Sequence, residues 1–381
     1  MSASAKPMEE DRLGVAIVGC GRIGIKRAQA LAPGDELLAC YDLDAGAAAS
    51  LAGQYGARAC ATIAELLDTR PRIVVVATVH DCLAELSEQA LRAGAHVLVE
   101  KPAGISSAQI DSLIECQHAC GRLVKVGFNH RFHPALARLA QEVHSGRHGE
   151  LMYLRGRYGH GGRPGYEREW RADPVRSGGG ELVDQGVHLL DLSHWLAGPL
   201  PLHSALLRTN FWDTAVEDNA ALILGESGSR GESGLPGGLG LPDGLGLPDG
   251  SGLTGGSRLS SDPWAMLHVS WTEWKNLFSL EVYCRTAKIQ VDGLGGSYGL
   301  PQLRIFKMRP ELGPPDIEEI SYPDRDVSWD AEWKHFAAAV RAADGRSLLG
   351  DLGDARYAWA QVEAAYAMAV GPPSHPLAVG R

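Results

Sequence analysis

Val15-Ala16-Ile17-Val18-Gly19-Cys20-Gly21-Arg22-Ile23-Gly24 decides how the first half of this chain is read. Four apolar residues form a strand, and the glycines after them match G-x-G-x-x-G where a helix opens. That context gives an otherwise weak pattern its meaning. Gly19 allows the tight turn, Gly21 lets a pyrophosphate approach the backbone, and Gly24 lets helix and strand pack closely. Arg22 and Ile23 stand where the helix opens, and its free N–H groups can receive the phosphates. The reading is a dinucleotide-binding turn.

Working outward, residues 13–130 alternate apolar runs with helical segments in the manner of a doubly wound parallel sheet. Strands are expected at Gly14–Val18, Glu36–Tyr41, 72–77, 95–99 and 123–128, with the first helix at 23–31. The run Ile73-Val74-Val75-Val76-Ala77 suits a strand covered on both faces. Near residue 150 the texture changes to longer strands, at 151–158 and from 206 onward, pointing to a second domain on an antiparallel sheet. A helix over 181–197 is set against it, and amphipathic segments at 329–342 and 354–369 close the chain as helices. The expected division is a tail at 1–12, a nucleotide-binding domain at 13–149 and an α/β domain at 150–381. Residues 226–262, rich in Gly, Leu, Pro and Ser with Gly-Leu-Gly-Leu-Pro-Asp repeated, read as a flexible insertion. It separates the strand-like runs 220–224 and 264–271, so it enlarges a hairpin tip.

A chain of 381 residues has room for two cores. Its 45% apolar and 22% charged residues are those of an ordinary globular protein. The formal net charge of -10 argues against a nucleic-acid partner. No run is long and apolar enough to span a bilayer, and the polar start carries no secretory signal. Seven cysteines, an odd number without a regular framework, suggest reduced thiols in the cytoplasm. Cys116-Gln117-His118-Ala119-Cys120 lies in a predicted helix with no second ligand cluster, so no metal site is expected.

Asp42 stands about twenty residues beyond the glycine turn, where an acid hydrogen-bonds the adenosine ribose. A carboxylate there repels a 2′-phosphate, so NAD is expected ahead of NADP; Asp44 is the weaker alternative. Glu100-Lys101-Pro102 follows the strand His96-Val97-Leu98-Val99, and the carboxyl ends of parallel strands are where ligands bind. A lysine there can reach a reacting hydroxyl.

Further on, Gly178-Gly179-Gly180-Glu181-Leu182-Val183-Asp184-Gln185-Gly186-Val187-His188-Leu189-Leu190-Asp191 reads as glycines opening an apolar helix. Asp184 and His188, four apart, share one face, where the acid should support an imidazolium and fix its tautomer. Asp191 extends that polar face, as a cap or salt-bridge partner, and Trp195 packs.

The ordered set of these motifs, with Gly127-Phe128-Asn129-His130-Arg131-Phe132-His133-Pro134 between them, resembles the Gfo/Idh/MocA oxidoreductases, a family that includes glucose–fructose oxidoreductase and inositol dehydrogenases. The similarity covers nearly the whole chain outside the tail and the insertion. It implies a Rossmann domain followed by an α/β domain whose large, mostly antiparallel sheet commonly mediates homo-oligomerisation. By motif matching it implies Lys101, Asp184 and His188 as catalytic residues, the histidine being the usual acid/base. Glu100 and Lys101 would also meet the cofactor. The loop at Asn129-His130-Arg131 would approach cofactor or substrate, with His130 standing where many relatives carry Arg or Tyr.

The resemblance further implies interconversion of a secondary alcohol and a ketone on a sugar, cyclitol or nucleotide-linked sugar. Residues 158–170 offer a substrate loop in which Arg163, Tyr166 and Trp170 suit a hydroxyl-rich or anionic ligand. Two other classes stand beside the dehydrogenase: a glycosidase acting through transient oxidation by bound NAD, and a non-catalytic regulator that keeps the nucleotide fold. Relatives of the last kind often lose the catalytic residues, which are present here.

Overall fold

The computed structural model describes residues 12–226, 262–311 and 313–370. All of the tail but Arg12 and nearly all of the 226–262 insertion lie outside the described residues.

Strands β1 (Gly14–Val18), β2 (Glu36–Tyr41), β3 (Arg58–Ala59), β4 (Ile73–Val76), β5 (His96–Val99) and β6 (Val124–Val126) form one sheet in the order 3-2-1-4-5-6. Every neighbouring pair is parallel. All residues of β4 and β5 are buried, because helices cover both faces of the sheet. The strand order reverses between β1 and β4, and that switch opens a crevice at their carboxyl ends.

The second sheet contains β7 (Leu151–Gly159), β8 (Leu202–Arg208), β9 (Asn219–Leu224), β10 (Trp264–Ser270), β11 (Leu277–Cys284), β12 (Ala287–Asp292), β13 (Gln302–Lys307) and β14 (Asp316–Ser321). Their order is 14-13-12-11-7-10-9-8, antiparallel throughout except where β7 meets β10. Burial alternates along β12, so one face packs on helices and the other is open. Leu224 lies opposite Ala265, so the insertion joins two paired strands. The fold is the α/β arrangement expected from sequence.

Two details differ from expectation. The segment expected as one helix over 181–197 is a π-turn, Leu182–Gly186, running into an α-helix, Val187–Ala197. The helix Ser328–Ala342 belongs to the second half in sequence but packs on the first sheet. Its Trp333, Phe336 and Val340 share a core with Leu13, Val15 and Ile17. Glu332 of that helix pairs with Arg27 at 2.5 Å and Lys125 at 2.8 Å, all fully or almost fully buried. Apolar burial and a closed ion network therefore bring the chain back onto its own beginning.

Candidate active site

Two hollows meet at the switch point. One, of about 560 Å³, runs past Gly19, Gly21, Arg22, Ile23 and Asp42. The other, of about 680 Å³, is lined by Lys101, Asp184 and His188 among others. Arg22, Ile23, Thr78, Trp170 and Arg171 border both, so they form one continuous cleft.

The first hollow fits a dinucleotide. Gly19 has φ +93°, and a Cβ there would lie 2.4 Å from the Ala77 carbonyl oxygen. A Cβ on Gly24 would fall 1.9 Å from the Gly19 oxygen, so only glycine lets the helix start this close to the strand. Gly21 faces open space. The helix Arg22–Gln29 has no side-chain cap and no acid in its first turn, leaving its N-terminal N–H groups for an anion. Asp42 accepts the Cys20 N–H at 2.6 Å and the Asp44 N–H at 2.8 Å, which fixes its carboxylate at the end of β2. Asp44 instead caps the next helix by accepting from Gly46 and Ala47. Asp42 is thus the acid on the groove.

In the second hollow, Lys101 leaves the carboxyl end of β5, and its Nζ donates to Asp184 Oδ1 at 2.6 Å and to the Asp184 carbonyl at 2.5 Å. Arg171 Nε takes the other carboxylate oxygen at 3.0 Å. Burial would raise the Asp184 carboxyl, but Lys101 and Arg171 outweigh it and hold the group well below the usual range. Lys101 keeps 16% of its side chain exposed, so it is anchored yet open to the cavity.

The expected Asp184–His188 pair does not form. Two full cations compete for the carboxylate against one imidazole, and the cations win. His188 stacks instead on His130, with ring centroids 4.1 Å apart. Burial first, then His130 and Lys101, push His188 well below the usual histidine range. His130 is pushed down to about 3, mainly by burial. Both rings are therefore neutral at ordinary pH, and His130 Nδ1 lies 3.1 Å from Asn129 Oδ1. His188 Nδ1 and His130 Nε2 are buried without partners.

Of the expected substrate residues, His130, Arg163, Tyr166 and Trp170 line the cavity. Arg131 does not. It is 4% exposed and is held by Asp191 at 2.6 Å and Asp354 at 2.8 Å, a structural clamp between helices. Asp191 is accordingly a salt-bridge partner, and Arg131 also lies over the Trp195 ring. Glu100 lines the cavity, but its carboxylate is engaged by Arg27 Nε at 2.6 Å. Gly24 lies beneath the groove, shaping the turn.

Sequence reasoning passed over Arg171, His160 and Glu181. Arg171 directly follows Trp170, and its charge beside an assigned aromatic residue was the available signal. His160, Glu181 and Asp184 each place a ligand-type atom within 4.8 Å of the others. A divalent cation there would have to displace Lys101 and Arg171 from Asp184, so this donor set does not favour a metal.

Residues 13–128 match the model of an oxidoreductase family with an NAD-binding Rossmann fold, and residues 136–231 match the GFO/IDH/MocA C-terminal domain. The chain belongs to the Gfo/Idh/MocA family. Inositol 2-dehydrogenase 2 of Saccharopolyspora erythraea is 30% identical over 53% of this chain and 61% of its own length. D-glucoside 3-dehydrogenase of Escherichia coli is 30% identical over 50% of this chain and 56% of its own. The matched region thus spans little more than half of these curated relatives. GenD2 from gentamicin A biosynthesis, solved with NAD, superposes with a TM-score of 0.74 over 97% of both chains at 22% identity, a likeness of fold.

Proposed function

We propose that this Gfo/Idh/MocA protein is an NAD-dependent oxidoreductase that interconverts a secondary alcohol and a ketone on a cyclitol or sugar, free or nucleotide-linked. The carrying observation is Lys101, fixed by Asp184 at the mouth of β5 in a cavity continuous with the dinucleotide groove. The inositol and glucoside dehydrogenases supply the substrate class. Both are dehydrogenases, which favours oxidoreductase chemistry over a glycosidase or a regulator.

Gly19, Gly21, Arg22, Ile23 and Asp42 would hold the cofactor, and Asp42 favours NAD over NADP. When bound, NAD supplies the acceptor for a hydride from the alcohol carbon. Lys101 then meets the reacting oxygen, favours its negative charge and moves its proton. Asp184 orients Lys101. His188 sits beside them as a neutral ring whose buried Nδ1 has no partner, so we assign the proton-handling role to Lys101 instead. His130, Arg163, Tyr166 and Trp170 would shape the substrate pocket.

A screen of cyclitols, sugars and sugar nucleotides, read as change in nicotinamide absorbance, tests this. Turnover of at least one polyol with NAD is expected. Its absence across all three classes would sink the proposal.

We also infer that a second copy covers the open face of the eight-stranded sheet. There Tyr153 stacks between Trp264 and Tyr283, beside exposed Met266 and Leu206. Light scattering should report an oligomer that Trp264→Glu weakens; a monomer at micromolar concentration contradicts it. The seven free thiols support a reducing, cytoplasmic setting.

A further inference from the structure

Glu181 and Glu217 are neighbouring buried acids with opposite surroundings. Glu217 accepts from the Gly180 and Leu182 N–H groups and from the Tyr366 hydroxyl, so it is a structural pin. Glu181 is completely buried, and neither of its carboxylate oxygens has a hydrogen-bond partner. An orphaned carboxyl of this kind needs a physical explanation.

Its position supplies one. A Glu181 oxygen, a His160 ring nitrogen and an Asp184 oxygen lie within 4.8 Å of one another. At the full 4.8 Å spacing, the centre of such a triangle lies about 2.8 Å from each atom, an ordinary hydrogen-bond length. One water there has three polar partners, as buried waters require. His160 Nδ1 already accepts from the Gly162 N–H, which leaves its other nitrogen for the water.

The surrounding charges decide the protonation state. Burial and the Asp184 carboxylate, with Glu217 beyond, push the Glu181 carboxyl well above the usual range. Lys101 and Arg171 oppose this but are already committed to Asp184. The hydroxyls of Tyr158, Tyr166 and Tyr298, all sensitive to Glu181, are themselves neutral. A neutral acid therefore lies within 4.8 Å of an ionised one.

We propose that Glu181 is the proton reservoir of this site, exchanging a proton with Lys101 through one bridging water and Asp184. The proposal rests on the oxidoreductase reading above. As a ketone is reduced, Lys101 Nζ gives its proton to the new hydroxyl oxygen. The water passes the Glu181 proton to Asp184, Asp184 passes one to the Lys101 amine, and solvent reprotonates Glu181 before the next turnover. Oxidation runs the same transfers backwards, and Glu181 releases the extra proton to solvent. Glu181 is thus a positioning and relay residue that acts through Lys101.

Glu181→Gln keeps the shape and neutrality but removes the transferable proton. Infrared spectra at pH 7.5 should show a protonated-carboxyl band in the wild-type protein that is missing from Glu181→Gln. Steady-state turnover of the variant should fall roughly tenfold, short of the ~10²–10⁴ expected for a group meeting the substrate. Its solvent deuterium effect and pH profile should change, with melting temperature and NAD affinity kept. A high-resolution wild-type crystal structure, which needs no variant, should show one water among His160, Glu181 and Asp184. Absence of the band, unchanged turnover and pH profile, an empty triangle, or Mn²⁺ bound there and lost in Glu181→Gln would each overturn the proposal. If the wild type turns over no polyol at all, the oxidoreductase reading falls, while the band and the water still decide the state of Glu181.

Discussion

The candidate dinucleotide groove and the candidate catalytic cavity share a wall but are built by different means. In the groove, the critical contacts come from backbone geometry and short-range partners: a left-handed Gly19, an uncapped helix start, and Asp42 bound to the N–H groups of Cys20 and Asp44. In the cavity they come from long side chains meeting across the fold, and Lys101 and Asp184 are 83 residues apart. The groove is preorganised by the chain itself. The cavity depends on a balance of charges, so it should break more sharply when one of them is removed.

The largest effect should follow from removing the ammonium. Lys101→Met should reduce turnover by ~10²–10⁴ while leaving NAD affinity little changed, because Lys101 lies outside the glycine turn. Comparing kcat with a fluorescence titration of NADH checks both halves. Normal turnover would show that the cavity's central cation is not part of the chemistry.

Asp184→Asn should come next. It leaves Lys101 and Arg171 close together without their counter-charge, and breaking a buried pair costs about 3–5 kcal/mol. Both cations keep some exposure, so the lower end is expected. The Asp184 carboxyl is held low in the folded state, so its contribution is complete above the ordinary aspartate pKa of about 3.9 and fades as pH falls through the folded value. Melting curves should therefore show the variant less stable at pH 7, with the gap closing in acid. A gap that stays constant with pH would remove the ion pair from the stability account.

The same contrast explains what could be read from sequence. Gly19, Gly21 and Asp42 are close in sequence, and all three line the groove where the local pattern puts them. The parallel and antiparallel sheets were likewise legible from run length and alternation. The Asp184–His188 spacing was also local and also met its geometric rule, yet the pair failed to form. Stronger partners arrived from β5 and from the loop carrying Arg171, and one-dimensional spacing carries no signal for such competition. Arg131 was misplaced for the same reason, since Asp191 and Asp354 reach it only in the folded chain. Glu181 stood in the quoted motif, but its lack of partners is visible only in three dimensions.

A smaller effect is expected in the groove. Asp42→Ala removes one charged acceptor for ribose hydroxyls, worth about 1.5–3 kcal/mol, or roughly ten- to a hundredfold in NADH affinity. NADPH binding should be less affected or improved, because the repulsion of a 2′-phosphate goes too. Tighter binding of NADPH than NADH by the wild type would reverse the cofactor assignment.

The smallest effect should come from the insertion, which belongs to neither region. Its flanking strands β9 and β10 are paired neighbours, with Leu224 opposite Ala265, so their ends need only a short connection. Replacing residues 228–260 by a Gly/Asn turn should leave NADH affinity and turnover unchanged. Loop-closure entropy grows by about 0.6 kcal/mol per doubling of length, so three doublings fewer would stabilise the protein by no more than about 2 kcal/mol. The melting temperature should hold or rise by a few degrees. Insoluble protein would mean that the segment packs on the sheet, whereas lost turnover at an unchanged melting temperature would tie it to the cavity. Either result would make the insertion a third functional region, and the contrast between groove and cavity would no longer account for the whole molecule.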